Sequence, residues 1–216
     1  MEETDEETIA RLEREQREIS DGVFQLMSSW AAIESALTVI VAASFAEANV
    51  ATRRCDQDDL PLASAILFSL AGLETRISAT QSCFRVLATR MQQHELVSKV
   101  AERVFSKLRK KTPARNKAMH GQLTNISTPH GLHARLIPPT FDYLHLDVSD
   151  NSKRGLDGND LQLAAQALQK YEDALRDIAQ LIHSWKLRDW AVYEQTLRRL
   201  DAQFSPTSTI PTGATS

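Results

Sequence analysis

Arg115, Asn116 and His120 place a permanent cation, a carboxamide and a titratable imidazole within one or two helical turns, and Gly121 closes the run. No Ser, Cys or metal-ligand cluster nearby competes with them for chemistry. A guanidinium and an imidazole, without nucleophile or metal, suit phosphodiester chemistry on RNA. There the substrate brings its own nucleophile, the 2′-hydroxyl, and the protein need only move protons and neutralise the phosphate. Cleavage requires a base for the 2′-hydroxyl proton and an acid for the leaving 5′-oxygen. One chain supplies one such His, so the chemistry asks for two copies, one imidazole as base and one as acid, and an ordinary imidazole can take either state near neutral pH. The expected product is a 2′,3′-cyclic phosphate.

The charge around the three residues fits an RNA partner. From Lys99 to Lys117 there are eight basic residues and one acid, Glu102, although the whole chain carries a net charge of −3. Lys107, Arg109, Lys110, Lys111 and Lys117 are the candidates for holding a phosphate backbone, an interaction that weakens with salt. The bland alternative is a solvated helix face pairing with acids such as Glu13 or Glu15.

Helices must carry these groups. Seven Gly and seven Pro in 216 residues are few, which favours long helices over strands and turns. Helical periodicity predicts a first helix over Glu6–Asn49, kinked near Gly22, with an acidic start suited to the positive end of its dipole. A second is predicted over Pro61–Gln92 with Asp59 as N-cap, and a third over His94–Lys110. Thr112 and Pro113 read as N-cap and first residue of a short helix that Gly121 ends at C′. Its amino end would offer free N–H groups to an anion. Leu132–Ile137 and Phe141–Val148 read as a hairpin around Pro138 and Pro139, at about 130–150. A long helix then runs from the Asp157–Asp160 turn to Trp185, and a last one over Leu187–Ala202. The expected architecture is mainly α: an up-and-down bundle in one domain over 21–202, preceded by the acidic stretch 1–20 and followed by a low-complexity, disordered tail over 203–216.

The Arg115–Asn116–x–x–x–His120 pattern, set after three helices and before a long one, resembles the motif of the HEPN superfamily of helical bundles. That motif is an Arg, four to six residues, then His, often with Asn after the Arg. The likeness spans about Asp21 to Trp185. It implies a metal-independent endoribonuclease without cofactor, working as a homodimer whose two motifs face each other, in the manner of toxins and antiviral defence effectors. A cognate inhibitor protein would be a further partner. It also implies roles: His120 for proton transfer, Arg115 for the charged phosphate, Asn116 for orientation. Other members of that superfamily have lost activity and bind a protein or nucleotide, which is the alternative expectation here.

Several features compete for attention. Arg176 and His183 also fit the Arg-to-His spacing, but they lie mid-way along an amphipathic helix away from the basic strip. Glu34 and Glu74 fall within apolar stretches and are expected to pair, with Arg115 or Arg76. His130, His133 and His145 lack a Cys neighbour and a common helix, so no zinc site is expected. Trp30, Trp185 and Trp190 read as core or interface. Two cysteines make no disulfide framework and the acidic start lacks a signal-peptide pattern, which points to the cytoplasm. The apolar stretches at Ala36–Ala46 and Leu60–Leu73 fall short of the ~20 residues of a membrane span, so no membrane partner is expected.

Overall fold

A helix of 41 residues, α1 (Asp5–Phe45), forms the spine of the bundle. The computed structural model describes residues 4–45, 59–128, 131–137 and 155–205. After α1 come α2 (Asp59–Ser69), α3 (Leu73–Ala88), α4 (His94–Arg109) and α5 (Thr112–His120). An antiparallel pair, β1 (Gln122–Thr128) and β2 (Gly131–Ile137), follows, then α6 (Gly158–Leu187) and α7 (Trp190–Phe204). The fold is mainly α with a small β-hairpin.

The largest packing face joins α1 to α6. Ile19, Leu26, Trp30, Ile33, Leu37 and Ile40 recur at helical spacing on α1 and are buried, as are Leu161, Leu168, Leu175, Ile178 and Ile182 on α6. α1 continues unbroken through Gly22, which lies at its close crossing with α6. A Cβ at Gly22 would lie 2.7 Å from Leu161 Cβ, and one at Gly158 would lie 2.7 Å from Glu18 Cβ. Two side-chain-free positions thus let the helices touch. α6 starts at the expected Asp157–Asp160 turn, which forms a capping box: Asp157 Oδ1 accepts from Asp160 N at 2.9 Å, and Asp160 Oδ2 accepts from Asp157 N at 3.3 Å.

Two expected elements come out differently. The single helix over Pro61–Gln92 is split into α2 and α3 by Gly72, whose φ of +82° lies outside the range L side chains favour. Leu132–Ile137 is a strand, but it pairs with Gln122–Thr128, with Leu123 opposite Leu136 and Asn125 opposite Ala134. This pair ends at Ile137, and the expected second strand Phe141–Val148, with Pro138 and Pro139, lies outside the described residues. So do Asn49, the 206–216 part of the tail, Cys55, His130 and His145. α7 is fastened by Tyr193, whose hydroxyl donates to Gln92 O at 2.5 Å; burial pushes the phenol up to about 12.

By length and composition α1 could cross a membrane, although 56% of its most apolar stretch is buried within the bundle. Leu60–Ser69 is apolar but shorter.

Candidate functional site

α5 is reached by a tight turn. The Lys110 N–H bonds back to Leu108 O, the Lys111 N–H bonds to Leu108 O at 2.9 Å, and the Ala114 N–H bonds to Lys111 O at 3.2 Å, all with helical backbone. Lys111, with φ −92° and ψ −14°, therefore occupies the cap position and makes no side-chain cap bond. Thr112 is not the N-cap: it is buried within the first turn, and its hydroxyl has no hydrogen-bond partner among the described residues. Pro113 has no N–H and that of Ala114 is used, so the amino end of α5 offers fewer free donors than the sequence suggests. Gly121 is extended, at φ −69° and ψ 150°, not left-handed. Its lack of a side chain serves a close approach instead, since a Cβ there would lie 2.7 Å from Leu136 Cγ.

The three motif residues share α5 but not one face of it. Arg115 is partly buried, while Asn116 and His120 are exposed. Arg115 Nη1 donates to Asn116 Oδ1 at 3.4 Å, a long bond, and Arg115 Nε is buried without a partner. Among the described residues no carboxylate pairs with Arg115, and no hydrogen bond joins His120 to Arg115 or Asn116. At 3.6 residues per turn, side chains five positions apart project about 140° apart, so one copy of α5 does not close both groups on one phosphate.

The basic strip divides. Arg103 pairs with Asp201 of α7 at 3.2 Å. The Lys107 ammonium sits 5.4 Å from the Phe204 ring centroid, a cation–π contact. Arg109 donates to Gln81 Oε1 at 2.7 Å on α3. These groups serve the joints between helices, and neither Glu13 nor Glu15 is their partner. Lys110, Lys111 and Lys117 make no ion pair among the described residues, which leaves them as the cations free to meet a polyanion.

The hairpin is locked onto the start of α1. Arg11 Nη1 donates to Leu132 O at 2.7 Å, His133 Nδ1 lies 2.9 Å from Glu15 Oε1, and Ala134 N donates to Glu15 Oε2 at 2.8 Å. Burial alone would raise the Glu15 carboxyl. The His133 and Ala134 hydrogen bonds and the charges of His133 and Arg11 outweigh it and hold the group below the usual carboxylate range. His133 is thereby a structural residue. Among the described residues no group of three His, Cys, Asp or Glu side chains converges as metal ligands would.

Glu34 pairs with Arg76 at 2.9 Å, one of its two expected partners. Glu74 is exposed in the first turn of α3 and makes no ion pair among the described residues. Trp30 is buried, Trp185 packs against the core, and Trp190 stands edge-on to Tyr193 at its margin. Sequence reasoning missed one feature. Arg176 and His183, together with Val39, Ala43, Ile182 and Lys186, line a cleft of about 260 Å³ between α1 and α6. Seven positions apart, the two side chains differ by only about 20° around the helix, which was the available signal. Arg176 is nevertheless paired with Glu172, and Asp173 and Asp177 flank it.

No family model, no curated protein and no solved structure matches this chain.

Proposed function

We propose that the chain is a metal-independent endoribonuclease of HEPN type, acting through α5 in a pair of copies, in the manner of a toxin or antiviral defence effector. The observation that carries this is the Arg115 guanidinium. It is half-withdrawn from water on the helix that also carries an exposed imidazole and, among the described residues, it is bonded only to Asn116, while Lys110, Lys111 and Lys117 on and just before α5 make no ion pair. A cation left without a carboxylate in a chain with more acids than bases is available to an anion.

In the reaction, the RNA 2′-oxygen forms a bond to phosphorus while the bond from phosphorus to the 5′-oxygen breaks. Neutral His120 of one copy takes the 2′-hydroxyl proton, and the protonated imidazole of the other gives a proton to the 5′-oxygen. Arg115 neutralises the extra negative charge on the phosphate in the transition state. The wide angle between Arg115 and His120 on one helix is consistent with a phosphate held between two helices.

The same angle also favours a second reading, a catalytically silent helical module that binds a protein or nucleotide. One experiment separates them. Purified protein is incubated with mixed RNA in EDTA, comparing wild type with Arg115→Ala and His120→Ala. Cleavage by wild type alone supports the nuclease; equal cleavage by all three, or none by any, removes it.

A further inference from the structure

α2 is apolar on nearly every side, yet it buries only Ala63 and Leu67 against the bundle. Leu60, Leu62, Ile66 and Phe68 are 49%, 54%, 39% and 50% exposed. No Asp, Glu, Lys or Arg occurs from Leu60 to Leu73. A helix with apolar residues all round is stable in water only when something covers it.

The pattern of sizes around the helix identifies the cover. Ala65 and Ser69, four apart and both exposed, run down the middle of the open face. Leu62 and Ile66, also four apart, form a ridge on one side; Pro61 and Phe68 rise on the other. A shallow groove beside a ridge of the same pitch is self-complementary when the helix is rotated by a two-fold axis. Each copy's Leu62–Ile66 ridge then fills the other's Ala65–Ser69 groove.

Area and charge agree. The exposed apolar side chains and the groove between them present on the order of 500 Å² per copy, so a pair would bury about 1,000 Å², the lower bound for a specific interface. Beyond Asp59 at its start and the Arg76 guanidinium 4.6 Å over the Phe68 ring, a partner recognised by charge would find nothing on α2 to pair with. A helix lying on a membrane surface carries a Lys/Arg-rich polar face, and α2 has none. We propose that α2 is the seam between two copies of this chain. This stands apart from the proposed function.

The test is the mass of the full chain in solution across a range of concentrations, by light scattering after gel filtration. The expected value is twice the chain mass of 24.2 kDa, falling to the single-chain value for Leu62→Glu/Ile66→Glu with unchanged helical circular dichroism. As a check independent of that variant's folding, Ala65→Cys with Cys55→Ser and Cys83→Ser should form an oxidative cross-link between copies. A wild type that is a single chain at every concentration would overturn the proposal. So would a pair that ignores Leu62→Glu/Ile66→Glu while Ala65→Cys stays uncross-linked. Single chains that sediment with neutral phosphatidylcholine vesicles would assign the face to lipid and equally overturn it. RNA cleavage is scored separately: a pair that cleaves nothing removes the nuclease and keeps the seam, and a single chain that cleaves removes the seam and the two-copy mechanism while keeping the cleavage.

Discussion

The chain contains two Arg-to-His runs on helices, and their settings are opposite. On α6, Arg176 and His183 point the same way into a cleft, but the guanidinium is already held by Glu172 and flanked by two Asp. On α5, Arg115 and His120 diverge, but among the described residues no acid is paired with the guanidinium and three lysines nearby make no ion pair. Spacing alone would favour α6. Electrostatics favours α5, because the Arg176 guanidinium is already paired with Glu172, whereas among the described residues no carboxylate pairs with Arg115. A guanidinium's partner, more than its distance from a His, decides whether it can receive an anion.

The largest effect should separate the two runs directly. His120→Ala and Arg115→Ala should each lower the initial rate of RNA cleavage by about 100-fold or more. Arg176→Ala and His183→Ala should change it by less than about two-fold, as expected for groups that do not touch the reacting atoms. A loss at α6 matching that at α5 would reverse the comparison.

The second prediction concerns what α6 does instead. If it is chiefly a packing element, disturbing its crossing with α1 should act on stability. Gly22→Ala forces a Cβ to within 2.7 Å of Leu161 Cβ, and overpacking of this kind costs about 1–3 kcal/mol, read from the urea midpoint. A midpoint unchanged from wild type would show that the crossing has slack.

A smaller effect bears on the cations of α5. Lys110→Ala, Lys111→Ala and Lys117→Ala should each reduce the slope of log affinity for RNA against log salt by roughly one. Lys107→Ala should leave the slope nearly unchanged, because that ammonium is held over Phe204. Equal slopes for all four variants would merge the divided strip into one.

The smallest effect tests the clamp that holds the hairpin following α5. The folded-state pKa of Glu15 lies below its unfolded value, so the clamp's contribution is present above that unfolded value and fades as pH falls through the folded one. Glu15→Gln should therefore destabilise the protein at pH 7, and the difference from wild type should begin to shrink below the ordinary value of 4.5 and close as pH falls through the lower folded one. A difference that persists in acid would assign the effect to shape rather than charge.

Much of this was legible in the chain, for identifiable reasons. The start of α6 was visible because Asp157 and Asp160 carry a capping box, a local signal that tertiary packing does not override. The α2–α3 break was hidden because Leu70 and Ala71 continue the apolar pattern and no Pro marks the turn; Gly72 alone carried the signal. The pairing of Leu132–Ile137 with Gln122–Thr128 was missed because Gln122–Thr128 is polar enough to read as loop, while the expected strand Phe141–Val148 lies outside the described residues. At the site, residue types and local charge were readable. Which cations remain unpaired was not, because Asp201, Gln81 and Phe204 reach the strip from elements distant in sequence.

The central claim is that the imidazole of His120 moves a proton while RNA breaks itself through its 2′-oxygen. Its most direct test is the end group left on a short RNA cut in EDTA, alongside the same oligonucleotide with 2′-deoxyribose at the cut position. The account predicts a 2′,3′-cyclic phosphate from the ribose substrate, no cut in the deoxy substrate, and neither product with His120→Ala. Cleavage of the deoxy substrate, or full activity in His120→Ala, would contradict it.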